Sequence, residues 1–148
     1  MVDSCEIPLS NPASDEIKRI LQETKTIAVV GISPNPDRPS FRVAQYLDQQ
    51  GYKIIPVNPG HKEILGKKSY PSILDIPEQI DVVDIFRRPD AVGEIVKQAI
   101  QKKVRVVWMQ EGVVNNEAAK KACDAGIKVV MDRCMLKEHR KLGTEPYF

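Results

Sequence analysis

Five short, largely apolar runs constrain the fold of this chain more than any other feature. They are rich in β-branched residues and occupy positions 27–30, 53–57, 82–86, 104–109 and 128–131. A strand with one wet face alternates apolar and polar residues, and these runs do not. They therefore predict strands that are covered on both faces, as in a parallel sheet.

Apolar residues recur at helical spacing between these runs, in segments 41–47, 92–100 and 118–123. Gly51 ends the first of these helices, and either Asn115 or Asn116 caps the third, which Gly126 closes. A short helix capped by Ser14 precedes the first strand, and a closing helix covers 134–141. Prolines interrupt segment 61–79, which predicts an irregular crossing with one short helical turn.

This alternation of strands and helices, with right-handed crossovers, predicts an α/β fold. The expected architecture is a Rossmann-like, doubly wound parallel sheet of five strands with helices on both faces. We expect residues 1–23 to form an N-terminal extension with a short helix and residues 24–148 to form the Rossmann-like domain.

Charge and composition exclude several classes of protein. A formal net charge of +2 argues against nucleic-acid binding driven by overall charge. No apolar run approaches the roughly 18 residues of a membrane span, and the N-terminal residues lack the order of a secretory signal. Cys5, Cys123 and Cys134 are odd in number and far apart, which indicates a reducing cytoplasm rather than a disulfide framework, and they lack zinc spacing.

The loop after the first strand has the residues of a phosphate site. In a doubly wound sheet, ligands bind beyond the carboxyl ends of the strands. Here Gly31 allows a tight turn and a close approach of the backbone, Ser33 and Ser40 offer hydroxyls, and Arg38 and Arg42 offer forked donors. We expect Ser40 to cap the next helix, whose N-terminal amides attract anions. The alternative is an ordinary loop with solvated arginines.

The other strand ends carry fewer signals. Arg87 and Arg88 follow the third strand, so that one could bind phosphate while the other pairs with an acid such as Asp84 or Asp90; both could also be solvated. Gln110 ends the fourth strand, where its amide can reach a ligand.

The chain lacks the dinucleotide fingerprint, because Ser33 and Pro36 stand where its second and third glycines belong. The second strand ends in Val57, Asn58 and Pro59 rather than in a ribose-binding acid, which also weighs against NAD.

Candidate catalytic groups are few. Neither histidine has a recognisable nucleophile or metal partner, so we predict no catalytic and no metal-binding residues. Cys134 follows Arg133 and precedes a helix, both of which could lower its pKa, although a buried small residue is the simpler interpretation. Trp108 and Phe86 are expected to be core residues, with the edge of the Phe86 ring able to contact an adenine.

Five motifs together resemble a known family. Segments 30–40, 51–59, 83–89, 107–112 and 131–134 are similar to the small stand-alone CoA-binding proteins and to the CoA-binding domain of the succinyl-CoA synthetase alpha subunit. The resemblance covers residues 24–142. It implies that Gly31, Ser33, Arg38 and Ser40 contact the phosphates of coenzyme A, that residues 57–59 lie along the adenosine, and that Phe86 with Arg87 walls the pocket.

The synthetases carry a second domain with a phosphorylated histidine, for which 148 residues leave no room. We therefore expect a cytoplasmic protein that binds coenzyme A or an acyl-CoA without chemistry of its own, as a homo-oligomer or with a protein partner, and with no nucleic acid or membrane. The alternatives are a small CoA- or NADP-dependent enzyme that uses Cys134, and a metabolite-sensing interaction module. The predicted ligand-binding residues are Gly31, Ile32, Ser33, Arg38, Ser40, Arg42, Val57, Asn58, Pro59, Phe86, Arg87, Arg88 and Gln110.

Overall fold

The computed structural model describes residues 11–143. Its strands are β1 (Thr26–Val30), β2 (Lys53–Val57), β3 (Glu63–Ile64), β4 (Lys67–Lys68), β5 (Val82–Ile85), β6 (Val106–Met109) and β7 (Lys128–Val130). Its α-helices are α1 (Ser14–Glu23), α2 (Pro39–Gln49), α3 (Val92–Lys102), α4 (Asn116–Asp124) and α5 (Met135–Gly143).

Five strands form one parallel sheet in the order β2-β1-β5-β6-β7. The chain runs from β1 outward to β2, then returns past β1 to β5 and continues in the other direction. The order therefore reverses between β1 and β5, which is the switch point of a doubly wound sheet. The predicted five-stranded Rossmann-like fold is confirmed.

Helices cover both faces of this sheet. On one face, Ala28, Val83 and Val107 belong to an apolar cluster with α3 and α4. On the other face, Val29 and Trp108 belong to a cluster with α1, α2 and α5. Burial on both faces explains why the strands read as unbroken apolar runs rather than as alternating ones.

The connection from β2 to β5 contains a small hairpin that the sequence pattern did not predict. Strands β3 and β4 pair antiparallel around Leu65 and Gly66, whose φ angles are 60° and 68°. Two consecutive positive φ values are typical of a tight hairpin turn. The predicted helical turn is present as a 3-10 helix at Ile73–Asp75, with the Ser72 hydroxyl accepting from the Leu74 amide.

Two local predictions are corrected, and one open alternative is resolved. Ser14 does not cap α1, because Ala13 occupies the N-cap position and Ser14 is the first helical residue. Asn115, rather than Asn116, caps α4, with its Oδ1 accepting from the Ala118 amide at 3.0 Å. The expectation of unpaired cysteines holds for the buried Cys134 and is wrong for Cys123, which is disulfide-bonded; Cys5 lies outside the described residues.

None of the helices within residues 11–143 is long and apolar enough to cross a membrane.

Candidate functional site

A cavity of about 690 Å³ opens at the carboxyl ends of the strands, beside the switch point. Loops after β1, β5 and β6 and the start of α2 contribute its walls. A second cavity, of about 520 Å³, lies on the α3 side and shares Gly31, Asn58 and Arg87 with the first. Both volumes lie in the range of small-molecule sites, and the shared residues make the two cavities neighbours.

Twelve of the thirteen predicted ligand-binding residues line these cavities. The first cavity contains the following ten: Gly31, Ile32, Ser33, Arg38, Ser40, Asn58, Phe86, Arg87, Arg88 and Gln110. The second cavity adds Val57 and Pro59. Arg42 lines neither cavity, because it lies a turn into α2 with its side chain exposed. The cavity wall also includes residues that were not predicted as contacts: Pro34, Pro39, Val43, Pro89, Glu111, Gly112, Val113 and Cys134.

Gly31 allows two strand-end loops to meet at the switch point. Its φ is +87°, and a Cβ atom built on it would lie 2.4 Å from the Phe86 carbonyl oxygen and 2.8 Å from Arg87 Cδ. The Gly31 amide also donates to the Val57 carbonyl at 3.0 Å. Only glycine combines this backbone conformation with so close an approach. The conformational reason predicted for Gly31 is therefore present, and its partner is the loop after β5.

The loop after β1 is held by its own short polar side chains. The Ser33 amide donates to Ser40 Oγ at 2.9 Å, and the Asn35 amide donates to Ser33 Oγ at 3.0 Å. The prediction that Ser40 caps α2 is wrong, because Arg38 occupies the N-cap position and Ser40 is the second helical residue. Each hydroxyl uses its oxygen as the acceptor in these bonds, so each O–H remains able to donate to a ligand.

Asn58 bridges the loops after β1 and β2. Its Nδ2 donates to the Ile32 carbonyl at 2.8 Å, and its Oδ1 accepts from the Gly60 amide at 2.8 Å. Both ends of the side-chain amide are therefore engaged in shaping the cavity. The predicted residue lies at the site, where it supports the loops.

Three arginines give the cavity its positive charge. Arg88 is paired with Asp90 at 3.5 Å, but both side chains are largely exposed, so the pair is weak. Within residues 11–143, Arg38 and Arg87 form no ion pair. Arg87 lines both cavities, so it is the arginine best placed to reach a ligand that extends across them.

Asp84 lies behind the cavity and is fully buried. The sequence suggested an arginine as its partner, but its Oδ1 accepts instead from Gln110 Nε2 at 2.9 Å. Its Oδ2 has no hydrogen-bond partner in the described part of the chain. Burial raises the pKa of Asp84 to about 7, and the bond from Gln110 opposes this rise only partly. Sequence reasoning missed this pair, although a carboxylate inside an apolar run was a signal for it.

Cys134 reaches the cavity wall but is not an activated thiol. Burial raises the pKa of Cys134; the backbone amides of Leu136 and Lys137 oppose this rise, while the negative charges of Glu111 and Asp84 add to it. The lowering that the following helix could cause is therefore present, through these amides of α5, but burial outweighs it, and Arg133 is not among the causes. A buried small residue, which was the simpler interpretation, describes Cys134 better.

The aromatic predictions differ in outcome. Trp108 is completely buried, as predicted for a core residue, and its indole N–H donates to the Arg133 carbonyl at 2.9 Å. Phe86 is only partly buried and lines the first cavity. Its ring is therefore accessible from the site.

The far rim of the cavity connects the loops after β6 and β7. The Gly112 amide donates to Asp132 Oδ1 at 2.7 Å, and Lys137 on α5 pairs with Glu111 at 2.9 Å. The Glu111 carboxylate at the β6 end is therefore paired with a lysine. The arginines lie at the other end of the cavity, around the loops after β1 and β5, and this end is suited to anions.

The chain is similar to several known proteins. An uncharacterised protein of Bacillus subtilis, YneT, is 41% identical over 131 residues, which are 88% of this chain and 97% of that protein. A solved structure of a hypothetical protein from Pyrococcus horikoshii has 47% sequence identity and a TM-score of 0.88, covering 92% of this chain and 96% of the other. An ADP-forming acetate–CoA ligase of Archaeoglobus fulgidus is 40% identical over 83 residues, 55% of this chain but only 12% of the ligase.

A family description covers most of the sequence. Residues 25–140 match the CoA binding domain, and this span contains all five parallel strands and the cavity beyond their carboxyl ends. The chain therefore belongs to the CoA binding domain family.

Proposed function

We propose that this protein binds coenzyme A or an acyl-CoA in the cavity beyond the strand ends and performs no reaction of its own. The observation that carries the proposal is the cavity at the switch point, where Gly31, Arg38 and Arg87 meet in a chain of the CoA binding domain family. A cytoplasmic location, a homo-oligomer or protein partner, and the absence of a role for nucleic acid or membrane belong to the same proposal.

The phosphates would lie at the end of the cavity formed by the loops after β1 and β5. Arg38 and Arg87 offer charged donors there, and the Ser33 and Ser40 hydroxyls offer neutral ones. The N-terminus of α2 adds the Ser40 amide as a backbone donor, since Pro39 has no N–H and the Phe41 and Arg42 amides donate to the Arg38 carbonyl. A charge-assisted hydrogen bond contributes about 1.5–3 kcal/mol, so two such bonds account for much of a micromolar affinity.

The end of β2 suits a ligand with an additional phosphate. Coenzyme A carries a 3′-phosphate beside its pyrophosphate, and an acid at this position would repel it. Val57, Asn58 and Pro59 place no charge there, whereas Arg87 extends to the same side. We infer that Arg87 contacts one of these phosphates and that residues 57–59 lie along the adenosine.

The absence of chemistry is proposed from the state of Cys134. A thiol acts as a nucleophile in its thiolate form, and here burial and two neighbouring acids disfavour the thiolate. No group of three metal-ligating side chains within residues 11–143 could hold a metal ion. The part of the chain that resembles the ligases corresponds to about an eighth of their length, so their reaction is not attributed to it.

Isothermal titration calorimetry tests the proposal directly. We expect coenzyme A to bind and dephospho-coenzyme A to bind roughly tenfold or more weakly, because it lacks the 3′-phosphate. Arg87→Ala should weaken coenzyme A by about tenfold. Arg105→Ala is the matched control, since Arg105 is also exposed and lies at the amino ends of the strands, outside both cavities.

Two results would refute the proposal at different levels. Equal affinities for coenzyme A and its dephospho form would refute the proposed contact with the 3′-phosphate but not the binding of coenzyme A. No heat of binding with coenzyme A or acetyl-CoA at millimolar concentration would remove the function itself.

A further inference from the structure

Gln110 lies at the boundary between the sheet and the cavity. It follows β6 directly, it is 4% exposed, and it lines the cavity. Its Nε2 donates toward the interior, to Asp84 on the neighbouring strand. Because Nε2 and Oε1 diverge from one carbon atom, the orientation of Nε2 also fixes where Oε1 lies.

The other end of the Gln110 amide, Oε1, has no hydrogen-bond partner among residues 11–143. No residue among 11–143 donates a hydrogen bond to Oε1. Among the side-chain oxygens and nitrogens of these residues, only Asp84 Oδ2 is both fully buried and without a hydrogen-bond partner, so Oε1 is not fully buried. Oε1 is therefore not enclosed, and the open space beside Gln110 is the cavity. At the end of β6, the cavity is therefore lined by a hydrogen-bond acceptor, Gln110 Oε1.

Asp84 determines this polarity. An ionised carboxylate only accepts hydrogen bonds, so it holds the amide with Nε2 inward and Oε1 outward. A neutral amide at position 84 could both donate and accept, and it would allow the Gln110 amide to flip. Glu111 also lines this end of the cavity, and its carboxylate is paired with Lys137.

This acceptor end is unsuited to phosphate, because Oε1 offers it no hydrogen-bond donor. If coenzyme A is the ligand, its pyrophosphate and 3′-phosphate lie toward the arginines, so its pantetheine arm extends toward β6. That arm carries two amide N–H groups, and Val43 and Val113, which line the same cavity, offer apolar side chains to its methylene groups.

We propose that Asp84 is a positioning residue that directs Gln110 Oε1 into the cavity, where it accepts a hydrogen bond from an amide N–H of the pantetheine arm. The inference rests on the proposed function and assigns the β6 end to the arm. It explains why a buried carboxylate stands in a strand whose neighbours Val83 and Ile85 are apolar.

The experiment compares two ligands on the same variants. Coenzyme A contains the arm, whereas 3′-phospho-ADP is the same nucleotide without it. In Gln110→Met the acceptor is lost, and in Asp84→Asn the amide orientation is released. We expect both variants to bind coenzyme A about five- to tenfold more weakly at pH 8 and to bind 3′-phospho-ADP within about twofold of the wild-type affinity. Gln101→Met is the matched control, because Gln101 is exposed on α3 outside both cavities.

Loss of affinity for both ligands to the same extent would show a general disturbance of the cavity and would overturn the assignment. Wild-type affinity for coenzyme A in Asp84→Asn would overturn it as well, even if Gln110→Met failed to fold. In both cases the wild-type protein still binds coenzyme A and the proposed function stands. A wild-type protein that binds neither ligand would instead remove the proposed function and this inference with it.

Discussion

The ionisation of Asp84 makes a quantitative prediction about the stability of the fold. The perturbation is Asp84→Asn, which removes the titratable group but keeps an oxygen that can accept from Gln110 Nε2. Asp84 is fully buried, and its Oδ2 has no partner within residues 11–143. The ionised form is therefore costly in the folded protein and not in the unfolded chain, where the carboxylate is hydrated.

The magnitude follows from proton linkage. Burial raises the pKa of Asp84 from 3.8 to about 7. Between these two values the folded state binds more protons than the unfolded state, so the free energy of unfolding decreases as the pH rises. At 1.36 kcal/mol per pH unit the total decrease is about 4 kcal/mol. This destabilisation is absent below about pH 4 and complete above about pH 7. A carboxyl group whose pKa is raised in the folded state makes the protein less stable as the pH rises.

The free energy of unfolding of Asp84→Asn should not show this decrease with pH, because the variant has no carboxyl group at position 84. Its amide leaves a buried donor without a partner, which costs about 1–3 kcal/mol at every pH. We therefore expect the wild type to be the more stable protein at about pH 4 and the variant to overtake it by about pH 8.

Urea unfolding followed by the fluorescence of Trp108, the single tryptophan, measures both free energies across this range. Asp90→Asn makes the same chemical change at an exposed side chain and provides the baseline. If the difference in unfolding free energy between Asp84→Asn and wild type were constant from pH 4 to pH 8, the reasoning would be wrong.

Two further predictions concern the walls of the cavity. Gly31→Ala should destabilise the protein by at least about 2 kcal/mol in chemical denaturation, because a Cβ would lie 2.4 Å from the Phe86 carbonyl oxygen in a backbone conformation with φ of +87°. Gly126→Ala shares that conformation at +86° with no heavy atom within 4 Å, so it should cost only about 1 kcal/mol; equal losses would contradict the close approach. Cys134 should react with iodoacetamide at pH 8 at least tenfold more slowly than glutathione, because burial raises its pKa, and more slowly still with coenzyme A bound; a rate equal to that of glutathione, mapped to Cys134 by mass spectrometry, would show an accessible thiolate.

The parallel sheet could be predicted from the sequence because its signal is local. Strands buried on both faces need long apolar runs, and right-handed crossovers leave few ways to connect them. The hairpin of β3 and β4 was missed because its strands are two residues each and contain three charged side chains. Its stability comes from packing of Ile64 and from the turn, and neither feature forms a periodic pattern.

The site was predictable to the extent that it is made of loops at strand ends. Gly31 follows β1, Arg87 lies two residues after β5, and Arg38 ends the loop between β1 and α2, so the positions of the strands were sufficient to predict that these loops meet. Arg42 stays a prediction, although it lines neither cavity, since a shift of a few residues along α2 turns a side chain away from them. The partner of Asp84 depends on the register of β5 against β6, which places Asp84 beside Trp108, two residues before Gln110. Register between strands is set by tertiary packing and is not visible in one sequence.

The destabilising effect of Asp84 also bears on what the cavity does. An apolar residue at position 84 would fit the surrounding cluster and remove a cost of several kcal/mol, so packing alone does not account for the carboxylate. A ligand that binds only the folded state, at a free concentration of a hundred times its dissociation constant, stabilises that state by about 2.7 kcal/mol. This stabilisation offsets much of the cost of the buried carboxylate. Coenzyme A should therefore raise the midpoint of unfolding more in wild type than in Asp84→Asn, because the variant is expected to bind it five- to tenfold more weakly, a difference of about 1 kcal/mol at saturating ligand. If Asp84→Asn were more stable than wild type at pH 8 and coenzyme A stabilised both proteins equally, the buried charge of Asp84 would have no role in ligand binding.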